Sequence, residues 1–183
     1  RLIRIKFLKN FFNSFYRKKD DTIFQLDLNN AIELELYLTK QWEPYITSYL
    51  KKTIIPGDYV VEVGANVGAH TFLLLSLVSS HKNSGKVIAI EPSEYCFGKL
   101  LIRKTFHPNK KNLSLLNAFA GSKTEINTGQ ERKCLGNFTD KNDESEEEIS
   151  DYKTIRIDDI EELNNCEEGQ LKFIKIDIDG PEY

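Results

Sequence analysis

The chain has 183 residues, of which 40% are hydrophobic and 29% charged, with 10 Gly and 5 Pro. This length fits one domain of about 100 to 200 residues with an appendage. The composition excludes collagen-like, low-complexity and wholly disordered chains. No apolar stretch approaches the roughly 18 to 20 residues that span a bilayer, so we expect a soluble protein. Three cysteines without a CxxC pair give no indication of a disulfide framework or a cysteine zinc site. Free thiols in a reducing compartment fit this pattern, so we expect a cytoplasmic protein.

Residues 1–19 form a basic leader ahead of an acidic body. The leader holds seven Lys or Arg and no acid, whereas the other residues hold 18 of the 25 basic residues and all 28 acidic ones, a balance of −10. An acidic body repels a nucleic-acid backbone, so we expect no nucleic-acid partner.

The leader also carries a helical pattern. Ile5, Leu8, Phe12 and Phe15 recur at spacings of three and four, which predicts an amphipathic helix. Either this helix docks on its own domain, or it attaches peripherally to an anionic membrane surface or a protein partner. We assign it to a basic N-terminal segment, residues 1–30, and assign residues 31–183 to one domain.

Helical and strand patterns alternate through that domain. Residues 31–52 show helical periodicity that Pro44 interrupts, which predicts two helices. The β-branched runs Tyr59–Val63 and Lys86–Ile90 predict strands that are covered on both faces. Further helices are predicted at 67–79 and 93–106, and further strands at 113–119, 154–157 and 171–178. This alternation predicts an α/β fold with a mostly parallel sheet and helices on both faces.

Residues 122–153 interrupt the alternation. Residues 140–151 contain seven acids and one Lys, which is too much like charge for a buried element. We therefore predict an exposed loop or lid at 122–153.

The segment from Glu62 to Gly68 carries the first functional signal, because a strand ends in an acid and passes through a glycine-bearing turn into a helix. Gly64 and Gly68 let backbone approach a ligand without a Cβ in the way. The N–H groups at the start of the helix suit an anionic group. In a parallel sheet this turn lies at the carboxyl end of its strand, where ligands bind. The segment predicts a ligand-binding turn.

Glu91, which follows the next strand, is the second signal. A carboxylate there can accept hydrogen bonds from both vicinal hydroxyls of a ribose, so turn and acid together indicate an adenosine-containing ligand. The turn reads G-x-x-x-G, with Asn66 where the dinucleotide pattern G-x-G-x-x-G has its second glycine. Glu62 repels a diphosphate but suits an ammonium group. These features favour S-adenosylmethionine, while an NAD(P)-dependent oxidoreductase and a non-catalytic binding module on a nucleotide-binding fold remain alternatives.

A third group of charges lies in residues 175–182. Strand alternation places Lys175, Asp177 and Asp179 on one face. Such acids serve as a general base, as metal ligands or as hydrogen-bond partners of a ligand, and without a neighbouring His we expect no metal. His70 follows the glycine turn and either faces the ligand or has a structural role.

In order and spacing, these motifs resemble the FkbM family of S-adenosylmethionine-dependent methyltransferases. The resemblance rests on residues 56–68, 90–92, 117–118 and 174–182, with Trp42-Glu43-Pro44 ahead of the first strand, and it covers residues 40–183. It implies a Rossmann-like class I methyltransferase fold, methyl transfer to a hydroxyl of a sugar, polyketide or similar small molecule, and no obligatory metal. The family's last motif has Glu and Ala where this chain has Asp179 and Pro181. Its remaining strands would follow Tyr183, so we expect a sheet truncated at the C-terminus. The Lys175 strand would then be an exposed edge unless a partner or further sequence covers it.

The resemblance also implies roles for individual residues. The methionine part of the cofactor would be held by Glu62, Gly64, Ala65, Asn66 and Gly68. The ribose would bind Glu91, the adenine side Pro92 and Ser93, and the adenine edge Asn117 and Ala118, with Asp177 near the methyl donor. An acceptor hydroxyl must also lose its proton, and the candidate general bases are Asp177, Asp179 and His70.

Overall fold

The computed structural model of the chain describes residues 14–19, 22–130 and 149–178. Its strands are β1 (Ser14–Lys19), β2 (Thr22–Asp27), β3 (Tyr59–Val63), β4 (Lys86–Ile90), β5 (Leu113–Leu116), β6 (Phe119–Ala120), β7 (Glu125–Gln130), β8 (Ile149–Ile155) and β9 (Leu171–Ile176). Its helices are α1 (Ala31–Thr39), α2 (Pro44–Thr53), α3 (Thr71–Val78), α4 (Glu94–Phe106) and the short α5 (Glu161–Asn164).

Four parallel strands form the central sheet, in the order β5-β4-β3-β9. This arrangement of a parallel sheet with helices confirms the predicted fold class. Within the described residues, β9 has β3 as its one neighbour in the sheet. The truncation expected from the sequence stays a prediction. All four strands run the same way, and therefore their carboxyl ends meet at one edge of the sheet.

The strand sequences are nearly continuous in apolar residues because both faces of the sheet are covered. On one face, Val60 and Val87 belong to a core with α1 to α4 and with Phe24 and Leu26 of β2. On the other face, Val61 and Ile88 pack with Ile155 of β8 and Ile160 beside α5. Helices thus lie on both faces, although α5 is a single turn.

The helix boundaries follow local signals that are visible in the sequence. Pro44 opens α2 at its first position, where a missing N–H costs nothing. Ser93 caps α4, and its hydroxyl accepts a bond from the Cys96 N–H. α3 begins at Thr71, four residues later than predicted, because residues 64–70 stay in the turn. No helix among the described residues is long and apolar enough to span a membrane.

The prediction of a loop at 122–153 is wrong for much of that range. β7 and β8 pair antiparallel from Glu125 with Thr154 to Gln130 with Ile149, and β6 pairs parallel with β8. The acidic run makes this part of the sequence resemble a loop when each residue is considered only with its near neighbours. The strands of this small sheet are specified instead by pairing between distant parts of the chain and by the burial of Ile155. The predicted strand at 154–157 is the end of β8, and residues 131–148 lie outside the described residues.

Most of the leader helix predicted over residues 5–15 lies outside the described residues. Residue 15, the last apolar position of its pattern, is in β1, so the helix does not extend that far. β1 pairs antiparallel with β2. Phe24 and Leu26 of β2 are each 1% exposed in the main core, and this part of the N-terminal segment therefore packs with the domain.

Candidate functional site

The turn after β3 takes a left-handed backbone at Gly64, Asn66 and Gly68, with φ of 80°, 49° and 86°. A Cβ on Gly64 would lie 1.8 Å from the Asp177 carbonyl oxygen, and one on Gly68 would lie 2.7 Å from the side chains of Leu100 and Phe72. These glycines are therefore required because the turn packs closely against β9 and the helices. That reason differs from the approach of a ligand on which the sequence prediction rested.

Glu91 connects the turn to the start of α4. One oxygen of its carboxylate accepts a 2.7 Å bond from the Asn66 N–H and the other a 2.8 Å bond from the Ser93 N–H. The Asn117 side chain donates to the carbonyl oxygens of Glu91 and Pro92, at 2.9 and 3.0 Å. Glu91 is 6% exposed, so these bonds form in a partly dehydrated site where they hold the carboxylate firmly.

Glu62 is buried at the end of β3 with a cation beside it. Its carboxylate accepts a 2.6 Å bond from the Thr71 hydroxyl and lies 3.7 Å from the Lys175 ammonium. Lys175 also donates a 2.8 Å bond to the Asp177 carboxylate. Burial raises the pKa of the Glu62 carboxyl above its ordinary value, although Lys175 and Thr71 oppose the shift. Asp177 directly follows β9 and lies on the same side as Lys175 of that strand, as strand alternation predicts.

A cavity of about 140 Å³ opens at the turn, and we call it the charged cavity. Its lining is Ile32, Trp42, Glu43, Glu62, Gly64, Ala65, Asn66, Val67, Ala69, His70, Lys175 and Asp177. Burial and the charge of Asp177 raise the pKa of the Glu43 carboxyl. The Nδ1 atom of His70, a residue only 3% exposed, lies 3.8 Å from Glu43. Three carboxylates and one lysine therefore surround a space next to the turn.

A second cavity, of about 330 Å³, lies on the far side of Glu91, and we call it the apolar cavity. Its lining is Pro92, Glu94, Asn117, Ala118, Phe119, Ile126, Asp151, Tyr152 and Lys153. The Phe119 and Tyr152 rings meet edge to face at 5.1 Å. Half of this wall comes from β6, β7 and β8, most of which falls where the sequence predicts a loop.

The structure brings most of the predicted site residues to one edge of the sheet. Glu62, Gly64, Ala65, Asn66, His70 and Asp177 reach the charged cavity, and Pro92, Asn117 and Ala118 reach the apolar cavity. Glu91 and Ser93 lie between them, joined by a hydrogen bond. Gly68 lines neither cavity and packs against α3 and α4. Asp179 lies outside the described residues.

Several lining residues were not among the predicted site residues. Lys175 could have been found from its alternation with Asp177, and Trp42 and Glu43 from their place in the family pattern. Ile126 and Tyr152 carried no local signal, because the strands that bear them were not predicted. Among the described residues, no group of three or more His, Cys, Asp or Glu could hold a metal ion.

A comparison with protein-family models decides which nucleotide-binding fold this is. The model for the methyltransferase FkbM domain matches residues 62–183, from the acid at the end of β3 onward. The chain belongs to the FkbM methyltransferase family. The family predicted from the sequence is thereby confirmed, and S-adenosylmethionine is the cofactor of this family. Because the chain belongs to this family, an NAD(P)-dependent oxidoreductase is no longer an alternative.

The chain is also similar to parts of several solved structures. The methyltransferase FkbM of Methylobacillus flagellatus KT is 20% identical over 81% of this chain and 36% of that chain, with a TM-score of 0.43. TYW2 of P. horikoshii, in complex with MeSAdo, is 18% identical over 58% of this chain and 36% of that chain, with a TM-score of 0.41. TYW2 of M. jannaschii, in complex with AdoMet, is 18% identical over 57% and 42%, with a TM-score of 0.37.

The chain spans 36 to 42% of the length of these three proteins. Among curated protein sequences, no significant match was found.

Proposed function

We propose that this chain binds S-adenosylmethionine and transfers its methyl group to a hydroxyl oxygen of a sugar, polyketide or similar small molecule. One observation carries the proposal. The carboxylate of Glu91 is fixed between a charged cavity at the glycine turn and an apolar cavity at Asn117 and Ala118. This order matches a ligand with an amino-acid group at one end, a ribose in the middle and a base at the other end.

The nucleoside half fits the side of Glu91 that faces α4. A carboxylate held by two backbone N–H groups keeps lone pairs that can accept further bonds from vicinal hydroxyls. Beyond it, Pro92, Ala118 and Phe119 offer apolar surface to a planar base, and Asn117 is fixed by its two bonds to backbone carbonyls. Sites for such ligands combine apolar surface with oriented polar groups, and this lining adds Glu94, Asp151 and Lys153 to its apolar residues.

The amino-acid half fits the charged cavity. Its lining has three carboxylates, Glu43, Glu62 and Asp177, and one fixed positive charge on Lys175. S-adenosylmethionine brings an ammonium, a sulfonium and one carboxylate, so its net positive charge complements this lining. A diphosphate would instead meet like charges only a few ångströms away, which costs several kcal/mol where water is excluded.

When bound, the sulfonium supplies an electrophilic methyl carbon. The task left to the protein is to place an acceptor oxygen in line and to accept its proton. Asp177 is the best placed base, because its side chain is 46% exposed beside the turn and Lys175 orients it through a 2.8 Å bond. His70 is more deeply buried and contacts Glu43, which favours a supporting role. Asp179 stays a candidate from the sequence.

Titration with S-adenosylhomocysteine, the product of the reaction, tests cofactor binding directly. The parent chain should bind it, and NADH should not compete. Glu91→Ala should weaken binding by about tenfold or more, since hydrogen bonds to a charged group contribute about 1.5 to 3 kcal/mol each. Glu161→Ala, an exposed acid on α5, is the matched control and should leave the affinity unchanged.

No binding by the parent, or equal binding by Glu91→Ala, would refute the proposed cofactor site. The acceptor class is tested separately by incubating the chain with labelled S-adenosylmethionine and a panel of sugar and polyketide alcohols, each with an amine analogue. Transfer to the alcohols supports O-methylation. Transfer to the amines alone would contradict it.

The remaining parts of the proposal concern the location of the protein and its partners, and they are tested by fractionation. We propose a cytoplasmic location, no nucleic-acid partner, and peripheral membrane or protein contact through residues 1–19. Vesicles that contain anionic lipid should retain the chain only when this basic leader is present. Retention without the leader would assign the contact to another surface.

A further inference from the structure

Arg103 is a buried cation on α4 that contacts three other parts of the chain, namely the glycine turn, α1 and β2. It is 2% exposed, and its guanidinium donates hydrogen bonds to the Val67 carbonyl, to the Gln25 carbonyl at 3.0 Å and to the Glu33 carboxylate. It also lies over the Phe24 ring, 4.7 Å from the centroid. Because a guanidinium presents several donors in one rigid plane, these contacts fix the relative positions of their acceptors.

Glu33 holds the other side of this network. It is fully buried on α1, and its carboxylate accepts bonds from Arg103, from Lys99 and from the Asp27 N–H at 3.1 Å. The backbone N–H of Glu33 donates a 3.1 Å bond to the side-chain oxygen of Asn30, which caps α1. The carboxylate therefore ties the start of α1 and the end of β2 to α4.

The contact with Val67 reaches the glycine turn itself. The Val67–Gly68 peptide plane is held on both sides, because Arg103 bonds the Val67 oxygen and the Gly68 N–H donates to the Ala65 oxygen at 2.9 Å. A peptide group is rigid, so fixing both of its polar atoms fixes its orientation. Two residues before Gly68, the Asn66 N–H donates to the Glu91 carboxylate.

The same network also positions a wall of the charged cavity. Ile32, which lines that cavity, precedes Glu33 on α1, and Trp42 and Glu43 follow in the connection to α2. All of these residues lie ahead of residues 62–183, the part of the chain that the family model matches. N-terminal residues thus complete a cavity whose turn belongs to the matched domain.

We infer that Arg103, held by Glu33, is a positioning residue that sets the geometry of the cofactor turn and joins α1 and β2 to the cofactor site. The inference rests on the proposed function for the identity of the ligand. A buried ion pair is weak evidence of a contribution to stability, since its desolvation offsets much of its attraction. Its connections to the turn and to the cavity wall indicate a role in arranging the site.

The test compares the parent with Arg103→Lys, Arg103→Met and Glu33→Gln. Lysine keeps the charge but cannot serve the three acceptors with one planar group. Leu113→Ala is the matched control, because Leu113 is 2% exposed in the same core but lies at the start of β5, away from the turn. Thermal unfolding identifies the variants that remain folded, and later measurements are made well below each midpoint.

Two readouts are then taken. The first is the affinity for S-adenosylhomocysteine, which should fall about tenfold in the Arg103 variants, as expected for losing a hydrogen bond to a charged group. The second needs no ligand and is the hydrogen exchange of the Asn66 and Gly68 amides, which should quicken by a similar factor. Leu113→Ala should change neither readout beyond the change that its lower midpoint explains.

The inference is overturned if the Arg103 and Glu33 variants exchange these amides and bind the ligand no differently from Leu113→Ala at equal stability. If Arg103→Met does not fold, Arg103→Lys and Glu33→Gln decide the question by the same criteria. A parent chain that binds no S-adenosylhomocysteine would refute the proposed function. In that case the exchange of the turn amides decides the positioning role alone.

Discussion

Replacing Gly64 with alanine tests the close approach that shapes the glycine turn. Gly64 has φ of +80°, and a Cβ there would lie 1.8 Å from the Asp177 carbonyl oxygen and 2.9 Å from its carbon. The left-handed backbone alone costs a residue with a Cβ about 1 to 2 kcal/mol. Since the obstacle is backbone, relief requires moving Asp177, which breaks the 3.0 Å bond from its N–H to the Val63 carbonyl.

Losing that bond adds about 0.5 to 1.5 kcal/mol to the backbone cost. We therefore expect Gly64→Ala to lower the free energy of unfolding by about 1.5 to 3.5 kcal/mol. For a chain of this size the melting midpoint should fall by roughly 3 to 14 °C. Because Gly64 belongs to the turn that lines the charged cavity, a shift of the turn should also lower the affinity for S-adenosylhomocysteine. Urea unfolding followed by circular dichroism measures the first effect, and calorimetric titration measures the second.

Two other glycines separate the components of this cost. Gly169 has φ of +79°, and no atom lies within 4 Å of the position that a Cβ would take. Gly169→Ala should therefore show only the backbone cost of about 1 to 2 kcal/mol. Gly98 lies within α4, again with nothing within 4 Å, so Gly98→Ala should stabilise by about 0.5 to 1 kcal/mol. If Gly64→Ala costs no more than Gly169→Ala, the approach of the turn to Asp177 is not as we describe it.

Three further predictions concern the cavities. Asp177→Asn should reduce turnover by about 10² to 10⁴-fold with little change in cofactor affinity, and equal losses in both would assign Asp177 to binding. Burial raises the folded-state pKa of Glu62 above 4.5, so the stability that its protonated form contributes is full below that pH and is lost as the pH rises through the folded pKa. Relative to the parent, Glu62→Gln should therefore gain unfolding free energy above pH 4.5, and a constant difference from pH 4 to about pH 8 would contradict the raised pKa. Ile126, which is 77% exposed and lines the apolar cavity, should matter for ligand and not for folding. Ile126→Ala should weaken S-adenosylhomocysteine binding severalfold at an unchanged melting midpoint, and unchanged affinity would remove this side chain from the site.

Local sequence patterns were sufficient for the strands, helices and acids that define the cofactor side of the sheet. Each of these signals depends on residues that are close together in the sequence. They are the apolar runs of β3 and β4, the break at Pro44 and the helix that Ser93 caps. The carboxyl ends of parallel strands meet at one edge, so the strand pattern by itself predicts that Glu62, Glu91 and Asp177 lie near each other.

The small sheet was missed because its strands are defined by partners that are far away in the chain. Glu125 pairs with Thr154, and between those two strands lies an acidic run that dominates any local average. Strand propensity depends on packing against such partners, so a polar strand next to like charges resembles a loop. The wall that Ile126 and Tyr152 give to the apolar cavity was missed with it.

The amino-acid sequence alone therefore determined the family, the parallel sheet, the turn and the two acids, one at the end of β3 and one directly after β4. Tertiary structure decided what surrounds them. Arg103 reaches Val67 and Glu33 across 36 and 70 residues of chain, and Lys175 reaches Glu62 from a different strand. Periodicity records how neighbouring residues share a face, whereas contacts of this kind depend on how the whole chain folds back, and that is fixed only when both cores are packed.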